Sequence, residues 1–179
     1  EGFRADLLDR FAESLPYLGA SEEGIRFVRE VMAQGGPFCD YDVLNSKLGS
    51  KMFWKLAEAV PEAGLQCLTR ALGSCSKEQL LGIREGRRNL VWALEMTAMW
   101  RELFREAARL LLALGEAENE TCSNNASGVF AELFSAGWGR VAPTEASPAE
   151  QTTGGAQYNR SEGPCPADPC NRDRRACGR

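Results

Sequence analysis

The segment from Arg101 to Glu118, RELFREAARLLLALGEAE, constrains the fold more than any other part of the chain. Read at helical spacing, it places Leu103, Phe104, Ala107, Ala108, Leu110, Leu111, Leu112 and Leu114 over most of a helix circumference. A helix that is apolar nearly all round must be covered on more than one side. No apolar run in the chain reaches the roughly 18 residues that a membrane helix needs. The segment therefore predicts a helix lying in the middle of a stack of helices.

The rest of the chain supplies the stack. RADLLDRFAESLPYL puts Leu7, Leu8, Phe11 and Leu15 at helical spacing, with Pro16 and Gly19 ending the run. SEEGIRFVREVMAQGG opens on Ser21 as a cap, with two Glu in the first turn, and carries Ile25, Val28 and Met32 as its inward stripe. FCDYDVLNSKLG reads as a long connection with one short helical turn around Val43 to Leu48. SKMFWKLAEAV then begins at Ser50 as a cap and stops at Pro61, which opens PEAGLQCLTRALG. Ser76 and Gln79 form a capping-box pattern. REGRRNLVWALEMTAMW repeats Leu90, Val91, Leu94, Ala98 and Met99 at threes and fours. NNASGVFAELFSAG predicts a further short helix, capped by Asn124 or Asn125, with Gly128 allowing close approach. No stretch sustains strand alternation. The expected class is all-α: an irregular, solenoid-like array of helical hairpins, or a helical bundle, over residues 1–148.

Residues 149–179 form a separate, low-complexity segment. From Gln151 onward there is one aromatic and no Leu, Ile or Val, and five Arg against Glu162, Asp168 and Asp173 leave that stretch at +2. The remainder of the chain is then −6. Such a composition cannot offset its ordering entropy, so it is expected to be a disordered tail, or an out-of-frame reading of a truncated gene.

Function classes narrow quickly. The chain has no histidine, which removes the commonest general base and metal ligand. It is expected not to be an enzyme, with no catalytic residue, no cofactor and no metal site. Seven cysteines lack paired metal-ligand spacing, and Cys67 reads as a small buried hydrophobe. NSKLGSKM lacks the spacing of a phosphate loop. The acidic balance opposes nucleic-acid binding. EGFRADLLDR reads as a chain beginning mid-protein, without a secretory signal, so the expected location is the cytoplasm and the sequons at Asn119 and Asn125 are expected to carry no sugar. The candidate partner surface is Arg84, Arg87 and Arg88, whose forks suit phosphate or carboxylate, together with Trp138, the one tryptophan outside an apolar stripe. Glu95 interrupts its stripe and is expected to pair with an Arg or Asn of a neighbouring helix.

Three longer runs carry a resemblance. FWKLAEAVPEAGLQCLTRALG, EGRRNLVWALEMTAMWRELFREAARLLLALGEAENETCSNNASGVFAELFS and APTEASP resemble the helical region downstream of the nucleotidase in bacterial STAND-type NTPases, which are related to the NACHT and AAA groups. The resemblance covers about Lys51 to Pro148 and rests on spacing rather than on a catalytic motif. It implies a non-catalytic helical sensor or scaffold that recognises a protein, often a phage component, and relays binding to the rest of the parent NTPase chain. A purely structural spacer, or a small nucleic-acid-binding domain, are the alternatives. The chain departs from the family in carrying neither phosphate loop nor effector.

Overall fold

The computed structural model describes residues 2–118, 126–134 and 147. Among them every regular element is helical: α1 (Gly2–Ser14), α2 (Glu22–Val31), α3 (Tyr41–Asn45), α4 (Lys47–Ala59), α5 (Pro61–Leu72), α6 (Lys77–Gly82), α7 (Arg87–Ala98), α8 (Phe104–Glu116) and α9 (Ala126–Leu133). Two 3-10 turns, Leu15–Ala20 and Pro37–Cys39, complete the path. The protein is all-α over these residues. None of their helices is long and apolar enough to cross a membrane.

Local chemistry places the ends. Ser21 accepts from the Gly24 amide, Asp40 from Asp42 and Ser46 from Gly49, and Ser76 with Gln79 closes a complete capping box. Pro61 occupies the first turn of α5, where its missing N–H costs nothing. Gly35 turns the chain after α2 with φ of 82°, a conformation that side chains disfavour. One expected cap moves. Ser46, not Ser50, opens α4, and Ser50 lies fully buried inside the helix, where its hydroxyl donates to the Lys47 carbonyl and accepts from Asn89. The run of residues 45–52 is thus a helix junction between α3 and α4.

Hairpins stack in order. The α4–α5 pair sits between the α1–α2 pair and the α7–α8 pair, and α9 packs on α8 and α7. Within this order α4 lies against α7, and α5 against α8, so corresponding helices of successive hairpins run side by side. That is the neighbour-on-neighbour arrangement of a helical solenoid. α8, the widest apolar helix, is covered by α5, α6, α7 and α9, which is why its Phe104, Ala107, Leu110, Leu111 and Leu114 are all buried.

Apolar burial holds each layer, and polar bridges set its register. Phe53 is fully buried and meets Phe38 edge-to-face at 5.6 Å. Gly64 lets α5 approach α4 closely, since a Cβ there would lie 2.6 Å from the Ala57 methyl. Along the first helices of the hairpins, Lys51 Nζ pairs with Asp9 at 3.0 Å and Glu13 at 3.2 Å, and Lys55 Nζ reaches Glu13 at 3.1 Å. Along the second helices, Arg29 pairs with Glu62 at 2.7 Å and Thr69 donates to Glu106 at 3.1 Å. The connections stack as well: the Asn45 side chain donates to the Gly82 carbonyl and accepts from the Arg84 amide. Exposed ion pairs contribute little energy, about 0–1 kcal/mol each, so their role is alignment.

Candidate functional site

The arginine cluster does not form one surface. Arg84 and Arg88 are exposed, whereas Arg87 is only 3 % exposed and belongs to the interior. Arg87 starts α7, and its guanidinium donates to the Leu80 carbonyl at 3.1 Å and to the Leu114 carbonyl, near the C-terminal ends of α6 and α8. Each carbonyl also accepts from the cap amide of its own helix, Ile83 N or Ala117 N, and the partial negative charge of a helix C-terminus favours a cation there. Arg87 also faces Glu118 at 3.9 Å. Its Nε finds no acceptor among the described residues. The assignment of Arg87 to a partner surface is therefore corrected: it is an internal tie between four helices. Trp138 lies outside the described residues.

Glu118 completes this tie. It accepts from the Ala126 amide, from Ser127 N at 3.3 Å and from Ser127 Oγ at 2.6 Å. The open N-terminus of α9 is thus satisfied by a carboxylate from the end of the preceding helix, a favourable place for negative charge. Asn119, Asn124 and Asn125, the expected cap and sequon residues, lie outside the described residues. Close approach of α8 to α9 occurs at Gly115, where a Cβ would lie 2.9 Å from Ser127 Oγ.

Arg88 joins a band of aromatic and cationic side chains across α4 and α7. Trp54 and Trp92 stack with ring centroids 4.9 Å apart, Lys55 Nζ sits 4.2 Å from the Trp54 ring, and Arg88 lies 5.8 Å from the Trp92 ring. Trp54 Nε1 donates to Met96 Sδ at 3.3 Å. Both tryptophans are half-buried, so this band serves packing between hairpins first. Trp100, in the α7–α8 turn, is 50 % exposed.

Glu95 has the opposite environment from the one expected. Its electrostatic neighbour is Glu132 of α9 rather than a cation, and burial together with that like charge raises its pKa, burial being the larger cause. A carboxyl that holds its proton more tightly when folded contributes stability below its unfolded pKa and loses it as pH rises through the folded value. Glu95→Gln should therefore raise the thermal midpoint at pH 7 by on the order of a few degrees, and by less at pH 4. Differential scanning calorimetry at the two pH values checks this, and an equal shift at both would remove Glu95 from the titration.

One recess among the described residues lies between α2 and α5. It has a volume of about 440 Å³ and is lined by Arg29, Met32, Ala33, Gln34, Glu62, Ala63, Gln66 and Arg70. A shallower depression of about 650 Å³ continues along α2 past Glu22, Ile25, Arg26 and Glu30. Arg70 donates to the Met32 carbonyl at 2.6 Å at the end of α2. The Arg29–Glu62 pair crosses the recess, and hydrogen bonding to Arg29 holds the Glu62 carboxyl below its usual range. Most of its lining side chains are polar or charged, and Met32 and Ala63 behind them are buried. Sequence reasoning missed it because its two walls are more than thirty residues apart.

Candidate chemistry is otherwise sparse among the described residues. No group of three or more acidic or cysteine side chains there is placed to hold a metal ion. Cys67 is fully buried, donates to the Phe38 carbonyl at 3.5 Å, and has its thiol pKa pushed up to about 12, chiefly by burial. It behaves as the small hydrophobe expected of it. Compared with protein-family models, curated proteins and solved structures, the chain matches none.

Proposed function

We propose that the chain is a helical scaffold that works by protein recognition, taking a partner segment in the recess between α2 and α5. The observation that carries this reading is the recess itself, whose polar and charged side chains Arg29, Gln34, Glu62, Gln66 and Arg70 can hydrogen-bond and pair with a partner segment. Helical arrays present such inter-hairpin surfaces as extended platforms, with a few anchors supplying most of the affinity. The resemblance of Lys51 to Pro148 to the helical region of STAND-type NTPases supports the same reading, and makes the rest of such a chain the natural recipient of the signal. On this reading the chain hydrolyses no ATP, has no cofactor and binds no nucleic acid, in keeping with its lack of histidine and its net charge of −4.

The test is a photo-crosslinking amino acid at Gln66, which is exposed on the rim. Irradiation in cells should give a discrete protein adduct that Arg29→Glu weakens about tenfold or more, since a reversed charge on the rim costs a complementary partner several kcal/mol. A crosslinker at Gln66 that yields no more adduct than one at Lys77, an exposed residue of α6, would reject the recess. A spacer without recognition predicts that second result.

A further inference from the structure

We infer that Cys39 and Cys67 form an oxidation-sensitive pair, a modification site at which a peroxide closes a disulfide between the turn after α2 and the middle of α5. Both are free thiols. Cys39 ends the 3-10 turn Pro37–Cys39, and that turn packs directly on α5, which carries Cys67. Cys67 Sγ donates to the Phe38 carbonyl at 3.5 Å, and this carbonyl belongs to the peptide group that leads into Cys39. With standard peptide dimensions, Cys67 Sγ therefore lies within roughly 6 Å of the Cys39 Cα. The side chains also act on each other: Cys39 is among the groups that raise the Cys67 thiol, through its charge and through hydrogen bonding. Cys39 Sγ otherwise donates to the Ala33 carbonyl at 3.3 Å, a weak bond that a side-chain rotation gives up.

Unequal burial sets the order of the steps. Cys39 is only partly buried, whereas Cys67 is fully buried and stays protonated, out of reach of a dissolved oxidant. Cys39 therefore reacts first. Its thiolate sulfur attacks one oxygen of hydrogen peroxide, the S–O bond forms as the O–O bond breaks, and the released hydroxide takes up the thiol proton as water. The Cys67 sulfur then attacks the Cys39 sulfenic sulfur. The S–S bond forms, the S–O bond breaks, and the departing hydroxide leaves with the Cys67 proton as water. The two thiols together lose two electrons, and one peroxide becomes two waters. Burial does not block the second step, because the fold and not the solvent brings the attacking sulfur to its target. Arg70 favours the Cys67 thiolate as it attacks, and is itself anchored on the Met32 carbonyl at 2.6 Å. The bond would tie the connection leaving the first hairpin to the second hairpin. This inference does not depend on a partner in the recess between α2 and α5.

Disulfide mapping of the full chain tests it. The reduced protein is treated with hydrogen peroxide, its remaining thiols are alkylated, and it is digested with trypsin without reduction. Cys39, Cys67 and Cys75 then fall in separate peptides, residues 30–47, 56–70 and 71–77. The commonest linked pair should join 30–47 to 56–70, and dithiothreitol should separate it. Cys67→Ala should leave Cys39 as a sulfenic acid that dimedone traps, and Cys39→Ser should leave Cys67 a free thiol after the same treatment. Cys75 serves as the internal control, being partly buried like Cys39 but with its Sγ bonded to the Ala71 carbonyl of its own helix. A map in which Cys39 and Cys67 stay reduced while Cys75 is oxidised overturns the proposal, and so does Cys39 linked mainly to any other cysteine. Both of these outcomes are read on the wild type, so they stand even if a variant fails to fold.

Discussion

Arg87→Ala should lower the unfolding free energy by about 3–5 kcal/mol, the range seen when one partner of a buried charge contact is removed. The guanidinium is nearly fully enclosed and bonds to carbonyls of α6 and α8 while facing Glu118. Its loss strips positive charge from two helix ends and leaves Glu118 without its cation. Glu118 also holds the start of α9, so the damage should spread to the last helix. Urea denaturation followed by circular dichroism measures the total. A double-mutant cycle with Glu118→Gln then isolates the charge contact, and a coupling near zero would assign the cost of Arg87→Ala to its carbonyl bonds alone. Arg87→Met separates charge from volume: it should recover part of the loss, because an apolar side chain of similar length refills the space.

Phe53→Ala should cost a comparable 3–5 kcal/mol, for a different reason. Phe53 is fully buried in α4, the helix that packs on both neighbouring hairpins, and its ring meets Phe38 at 5.6 Å. Gly64 fixes α5 at close range on the same side, with the Phe53 ring 3.9 Å from where a Cβ would be. The surrounding helices are therefore poorly able to collapse into the vacated volume, which places the cost towards the upper end. Phe53→Leu should cost clearly less than Phe53→Ala, because it leaves a smaller cavity. Thermal unfolding of the two variants beside the wild type checks the order, and equal losses would mean that α4 and α5 relax into the gap.

Much of the helical framework was legible because it rests on local chemistry. Proline at 61, glycines at 35 and 36, and serines at 21 and 76 act within a few residues of themselves, and the structure places helix ends beside each of them. The all-round apolar character of Leu103 to Leu114 likewise announced a helix covered on several sides. Ser50 shows the limit of such reading. A serine before an apolar run resembles a cap, yet Ser46 wins because its hydroxyl meets the Gly49 amide, while Ser50 is held by Asn89 of a helix 39 residues away.

The candidate site was less legible for the same reason carried further. Arg84, Arg87 and Arg88 are chemically alike in the sequence. Only the arrival of the Leu114 carbonyl and Glu118, about thirty residues later, draws Arg87 inside. Glu95 was expected to find a cation and instead faces Glu132, because which helix passes opposite it is decided by the stacking order. The recess between α2 and α5 depends on that order too. Neither helix taken alone carries a signature for it.

Whether the array binds a protein through that recess is read out by site-directed photo-crosslinking from Gln66. Recognition through the recess gives one discrete protein adduct from Gln66, reduced by Arg29→Glu and absent from the Lys77 control. An adduct yield from Gln66 no greater than from Lys77 would contradict it.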